Sequence, residues 1–298
     1  MFSRQTTIQS FLFLLIAILS SPIYAAQSPS QAHSRITVWK HTVEHPDPIF
    51  ITILIKALDI TRHEYGSYEI ISSKEMEQGR AVQRLAIKYE GVLDIAHFAS
   101  SIEREKGAIA VKVPLLNGLL GYRVCLINKG DQHKFSTIDN KQAFIDSHLS
   151  IGQHQDWPDT DILKSNGFNV STSYKYTLLF QQLKKKRFDC YLRGINEVTD
   201  EYEKYKELDF EIENTLLFHY PFPIFFFVHE SDPELAQRIT LGLTRLKNKD
   251  ELSELVKHYH KAQIDKLHLN KRKIITIENR ILPEQSMQTL KPISWLTL

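Results

Sequence analysis

GVLDIAHFASSIEREKGAIAVKVPLLNGLLGYR, residues Gly91 to Arg123, holds a strand, a helix start and a chain crossing in one run. Val92 to Phe98 is apolar enough for a buried strand and breaks at a polar turn. Ser100 followed by Glu103 has the spacing of a capping box, which predicts a short helix starting there. A second apolar run, Ala108 to Pro114, leads into Asn117-Gly118-Leu119-Leu120-Gly121-Tyr122-Arg123. A strand end, a helix start carrying an arginine and a glycine-punctuated crossing together predict a ligand cleft beside a hinge.

Working back toward the N-terminus, Ile36 to Trp39 reads as a strand. Phe50, Ile51, Leu54, Ile55 and Leu58 then recur at helical spacing after Asp47-Pro48. Tyr68 to Ser72 is a second strand, Met76 to Tyr89 an amphipathic helix, and Leu93 to Phe98 the third strand. The order βαβαβ predicts a parallel sheet with helices on its faces. Before it, Arg4 without an acid, the apolar run Phe11 to Leu19 and small residues at Ala25 and Ala26 predict a secretory signal peptide. It would be cleaved after Ala25 or Ala26, giving a soluble periplasmic protein.

Working forward, the α/β pattern restarts. Tyr122–Asn128, Leu149–Gln153, Phe168–Ser171 and Phe188–Leu192 read as strands. Helical segments over Lys141–Ser147, from the acidic start Asp156-Trp157-Pro158-Asp159 to Asn166, and over Tyr174–Lys186 separate them, and Asn166-Gly167 is a stop. Leu216-Leu217 and Ile224 to Val228 form an apolar strand region. Asp232-Pro233 caps a helix running to about Asn248, Asp250 to Lys261 is one more helix, and Ile274 to Ile277 is strand-like. The 298 residues thus divide into a signal peptide (1–26), the first part of one lobe (27–122), a second lobe (123–212), and a return to the first lobe with a tail (213–298).

A net charge of +2 gives no nucleic-acid surface, and 24% charged with 42% hydrophobic residues is ordinary for a globular protein. The two cysteines, Cys125 and Cys190, both lie in strand-like contexts. Export permits a disulfide, but buried thiols acting as small core residues are the preferred reading. No cysteine or histidine spacing suits a metal, and no cofactor is implied.

Asp94, Ser101-Ile102-Glu103-Arg104 and Pro114, then Phe188-Asp189, then Pro223 to Lys261 with its D-P-E-L-A helix start, occur in an order that resembles a known family. The chain looks like an extracellular solute-binding protein of family 3, the polar amino-acid binders with the type II periplasmic fold. GLLGYRV, DWPDTDILKSNGF and RFDCYLRGINEV resemble an uncharacterised branch of it. The resemblance implies an α/β protein of two lobes, each a mostly parallel sheet flanked by helices, joined by crossover strands. It would close on a small solute as a monomer and present it to a membrane permease or a sensor protein.

Ligands in such sheets bind outside the carboxyl ends of strands. Candidate ligand-binding residues are therefore Trp39 and His41 (with His45) after the first strand, and His97, Ser100, Ser101 and Arg104 after the third. In the second lobe they are Gln153 and Trp157 (with His154 and Asp156), and Arg193. Arg104 matches the family arginine that grips a ligand carboxylate; a surface arginine paired with Glu103 is the other reading, and both stay open. The serines serve as caps, the tryptophans suit stacking or core packing, and the histidines suit polar loops. Where amino-acid binders place an aspartate for the ligand ammonium, this chain has Arg193-Gly194. Arg193 either faces the cleft and favours an anion, or pairs with Asp189 or Glu197.

The function expected is non-catalytic binding of a small polar or anionic solute, amino-acid-like or an organic acid, for uptake or sensing. The alternatives are a periplasmic lyase or dehydratase on the same fold, using Glu103, Asp156 or His97, and a signalling subunit without a ligand.

Overall fold

The computed structural model describes residues 34–45, 47–87 and 92–298. The signal peptide and its cleavage site fall outside them. Short β-branched and aromatic runs form two sheets. In the first, Ser34–Val38 (β1), Tyr68–Ser72 (β2) and Ile95–Ala99 (β3) lie parallel. Ile109–Val111 (β4) joins through a later strand that runs antiparallel to both β3 and β4. That strand is β11, Ile224–Val228, in the order β2-β1-β3-β11-β4. β3 and β11 are buried along their whole length, as strands covered on both faces must be.

The second sheet holds Tyr122–Asn128 (β5), Ser150–His154 (β6), Asn169–Ser173 (β7), Cys190–Gly194 (β8) and Phe210–Ile212 (β9). Leu216–His219 (β10) and Lys273–Thr276 (β12) complete it. The order is β12-β10-β5-β8-β6-β7, with β9 also on β5. β6, β7 and β8 are mutually parallel, and β5 runs against β8. Both sheets lie in one compact unit.

The helix Ile49–Asp59 buries Ile49, Phe50, Ile53, Leu54, Ala57 and Leu58 on one side. It packs so closely on the helix Pro233–Asn248 that a Cβ on Gly242 would lie 2.2 Å from the Ala57 carbonyl. Asp232 caps the second of these helices, accepting from the Leu235 amide at 2.9 Å.

Two chain crossings join the sheets, one between β4 and β5 and one between β10 and β11. They run side by side: the Tyr220 amide donates to the Gly121 carbonyl at 3.1 Å. A Cβ on Gly121 would sit 2.2 Å from the Tyr220 carbonyl, so the contact needs glycine. The C-terminal segment spans both sheets as well. Asn166 and Glu278 exchange hydrogen bonds, Asn279 donates to the Pro221 carbonyl, and the Ile281 carbonyl accepts from the Ile102 amide at 2.8 Å.

Cys125 and Cys190 are joined in a disulfide between β5 and β8. This corrects the thiol reading. The two residues are 65 apart in sequence, and only strand pairing, which composition does not reveal, brings them together.

Candidate functional site

β1 delivers Trp39, and the short helix Lys40–Val43 that follows carries His41. The indole of Trp39 is buried and donates Nε1–H to the Met76 carbonyl at 3.1 Å. His41 lies with its ring centroid 4.8 Å from Trp39, 4.7 Å from His45 and 5.9 Å from His97. His97, on β3, stacks on Phe50 at 3.8 Å and shares a hydrogen bond of 2.8 Å between Nδ1 and the Thr42 hydroxyl. Burial, with His41 and His45 adding to it, holds the His97 pKa well below the usual range. The His41 side chain presents solvent-accessible surface, yet burial and then His45 lower its pKa to about 4. The first wall is thus aromatic, with His41 and His97 uncharged at neutral pH.

After β3 the chain turns into the helix Ile102–Lys106. The cap is Ser101, whose Oγ accepts from the Arg104 amide at 3.3 Å, and not Ser100 as its spacing to Glu103 predicts. Ser100 instead donates its hydroxyl to Glu105, leaving Ser101 to accept. Glu103 points to solvent, 87% exposed, and pairs with Lys106 at 3.7 Å.

Arg104 is buried beside the ring of Phe98. Its Nη1 donates to the Ala99 carbonyl at 2.9 Å, and its Nη2 to Gln78 Oε1 at 2.7 Å and the Asp156 carbonyl at 3.0 Å. All three acceptors are neutral. Burial lowers its pKa to about 10, with Asp159 and then Asp156 pulling back, so it remains a cation. The bond to Asp156 joins the turn after β3 of the first sheet to the turn after β6 of the second.

The second wall is built from the ends of β6 and β8. Gln153 is fully buried, donates Nε2–H to the Leu192 carbonyl at 3.0 Å, and leaves Oε1 without a protein partner. Trp157 stacks with His154 at 5.5 Å and covers the Arg193 guanidinium at 4.8 Å. Arg193 also lies 5.0 Å from the Tyr191 ring and pairs with Glu201 through Nε at 2.7 Å and Nη2 at 2.6 Å. Its Nη2 reaches Glu197 Oε2 at 3.0 Å. Burial alone would lower its pKa, but Glu197 and then Glu201 outweigh it and raise it well above the usual value. Of the two pairings open to Arg193 in the sequence, the one with Glu197 forms; Asp189 pairs with Lys134 at 3.0 Å instead.

The turn after β8 also holds Glu197, which the sequence names only as a partner for Arg193, and Arg123 on β5 is a group it does not single out at all. Glu197 accepts from the Gly194 amide at 3.1 Å on Oε2, the same oxygen that meets Arg193. Burial raises its pKa, but Arg193 and Arg123 more than reverse that and keep it ionised. Its charge reaches His41 and His45 of the facing lobe. Arg123, at the start of β5, pairs with Asp159 at 2.9 Å over the rings of Phe222 and Tyr220, and its Nε and Nη1 have no protein partner. The i, i+4 spacing of Arg193 and Glu197 is a usable signal; nothing local marks Arg123.

The structure therefore gathers Trp39, His41 and His97 on one wall and Trp157 and Arg193 on the other. Ser100, Ser101 and Arg104 follow β3, and Gln153 lies near the end of β6. Among the described residues no group of three or more His, Cys, Asp or Glu is placed to hold a metal ion. No described helix is long and apolar enough to cross a membrane.

No family profile and no curated protein matches this chain. Solved structures do. An ancestral arginine-binding protein bound to arginine superposes with a TM-score of 0.54 at 16% identity, covering 76% of this chain and 97% of that one. The VFT2 domain of BvgS from Bordetella pertussis, in a double-mutant form, gives 0.56 at 13%, covering 76% and 92%. An ancestral amino-acid-binding protein described as a precursor of cyclohexadienyl dehydratase gives 0.53 at 15%, covering 76% and 96%. The chain has the type II periplasmic-binding fold. The two sheets correspond to the two lobes of that fold.

Proposed function

We propose that this protein binds a small polar solute between its lobes without transforming it, and that closure on the solute is presented to a membrane permease or a sensor. The observation that carries the reading is the approach of the two sheet ends, where Arg104 after β3 donates to the Asp156 carbonyl after β6 at 3.0 Å, and where His41 and Glu197 lie within electrostatic reach. One group comes from the end of the first sheet and the other from the end of the second. The Glu197 charge acts on His41, and His45 beside it acts on Glu197. Strand ends converging from two sheets on one polar crevice are what a ligand site in this architecture requires. The crossings at Gly121 and Tyr220 provide the hinge, and the Arg104 bond to Asp156 provides a contact that exists only when the lobes are closed. An exported, periplasmic location suits this role and is part of the proposal.

Thermal-shift screening of the purified mature chain against amino acids, organic acids, amines and short peptides tests it. A bound solute should raise Tm with concentration and reduce the radius of gyration in small-angle scattering. A protein that responds to none of them is not a solute receptor.

A further inference from the structure

After β12 the chain passes between the lobes a third time. β12 lies parallel to β10 at the edge of the second sheet, and the Ile277 amide extends that pairing to the His219 carbonyl at 2.9 Å. Asn166, at the end of the helix Pro158–Ser165, then holds Glu278 twice. It donates to the Glu278 carbonyl at 2.8 Å and accepts from its amide at 3.3 Å. Asn279 donates to the Pro221 carbonyl at 2.8 Å, on the crossing between β10 and β11. Ile281 offers its carbonyl to the Ile102 amide of the first lobe at 2.8 Å. The anchors at Glu278 and Ile281 are three residues apart, a span of at most about 10 Å, so this passage has little slack.

The segment then stays on the first lobe. Ser286 is fully buried and donates its hydroxyl to Glu105. Gln285 accepts from Lys112 at 3.1 Å, and Lys112 pairs with Glu105 at 3.0 Å. Leu290 packs on the other crossing: a Cβ on Gly118 would lie 2.9 Å from its Cδ2. One segment thus touches both crossings and the helix Ile102–Lys106. That helix carries Arg104, and at five residues it is too short to persist unsupported. Its first amide, which no carbonyl of its own helix can reach, is satisfied by Ile281. The segment that spans the lobes therefore also seats the arginine that meets Asp156.

We propose that residues 278–290 form a third tether between the lobes, which limits how far they open and positions Arg104 for its contact with Asp156. Because Asn279 binds the tether to the crossing at Pro221, opening must turn about that paired line or break the anchor at Asn166 or at Ile102. The proposal stands on the two-lobed fold and on no particular ligand.

The test follows backbone hydrogen exchange and small-angle scattering in the mature chain without added solute. In Asn279→Ala the tether stays attached but loses its bonds to the Pro221 carbonyl and the Ile281 amide. Exchange in the peptides spanning Ile102, Gly121 and Tyr220 should rise at least threefold and the radius of gyration should increase, while β1 and β8 keep their wild-type protection. Truncation after Ile277 should raise exchange in the same peptides at least tenfold, with a larger radius still. Circular dichroism and Tm check that both variants fold, and if the truncated chain does not, Asn279→Ala decides. Unchanged exchange at the three peptides, or an unchanged radius, overturns the proposal. A rise shared equally by β1 and β8 overturns it too, because the segment would then support overall stability and not the junction. None of these outcomes depends on the solute-binding reading, which the thermal-shift screen tests by itself.

Discussion

Arg104 and Arg193 sit at corresponding places, each just beyond or at the end of a central strand of its lobe, and both are almost fully buried. Their surroundings are opposite. Arg104 is solvated by a side-chain amide and two backbone carbonyls, and burial brings its pKa down to about 10. Arg193 is held by two carboxylates between aromatic rings, and its pKa is driven up. A buried cation surrounded by neutral dipoles keeps its charge available to a partner; one surrounded by carboxylates has its charge cancelled. The first arginine can therefore exchange its partners as the lobes move, because one of them, the Asp156 carbonyl, belongs to the other lobe. The second is part of the framework of its own lobe.

The comparison breaks most visibly at Arg193. Removing it with Arg193→Leu leaves Glu197 and Glu201 facing each other in the interior, where an unpaired buried charge costs about 3–5 kcal/mol. Urea unfolding should show a loss of that size, and adding Glu201→Gln to the same chain should recover part of it. Equal losses in the single and double variants would mean that the carboxylates are relieved by solvent, and that the two arginines are less different than their contacts indicate.

A second test concerns the support beneath Arg193. The Cys125–Cys190 disulfide ties β5 to β8, the strand that carries Arg193. Closing a loop of this length contributes roughly 2–4 kcal/mol. Cys125→Ala with Cys190→Ala should lower unfolding stability by about that amount, and hydrogen exchange should rise along β5 and β8 before it rises in β3. A uniform rise would show that the disulfide stabilises both lobes alike.

The Arg104 contact comes next in size. Hydrogen bonds from a charged donor contribute about 1.5–3 kcal/mol, so Arg104→Gln should cost no more than that in stability. Its sharper effect should be on shape: without the bond to the Asp156 carbonyl, the radius of gyration in small-angle scattering should increase. An unchanged radius would mean that Arg104 only fills its own lobe.

The fold was legible in the sequence because its signals are local. The strands Tyr68–Ser72 and Tyr122–Asn128 and the helix Pro233–Asn248 begin and end where alternation, glycine and the Asp232-Pro233 cap put them. The resemblance to the type II binding fold rested on the order of such pieces, and the solved structures carry the same fold. The site was legible only in part. Trp39, His41, Ser101 and Arg104 follow strand ends and could be named from that rule alone. Glu201 could not: it reaches Arg193 from eight residues away, across a turn and a helix, where no short spacing marks a pair. The engagement of Arg104 by Gln78 and Asp156 is equally hidden, since it depends on how two lobes meet. Ser101 replaced Ser100 as the cap for a tertiary reason, because Glu105 draws the Ser100 hydroxyl away.

The smallest effect expected is a pH dependence, and it separates the two walls. An unfolded histidine takes up a proton near pH 6.5. In the folded chain His41 does so only at about 4, and His97 well below its usual range. Above pH 6.5 both are neutral in either state, so they contribute no pH dependence there. As pH falls below that value the unfolded chain binds protons that the folded chain does not, and stability must drop as pH falls. Glu197 acts lower in the range. Its folded pKa is depressed, so its contribution is fully present above the carboxylate range and is lost as pH falls through it. Stability measured between pH 7 and 5 therefore reports the desolvated histidines, His41 and His97 together with His219 and His260, and the further loss below about pH 4.5 includes the arginine–glutamate wall. His97→Phe, which keeps the stack on Phe50, should flatten the upper part of the profile and leave the lower part in place. If it flattens neither, the imidazoles are not held neutral, and the wall facing Glu197 is cationic rather than aromatic and uncharged.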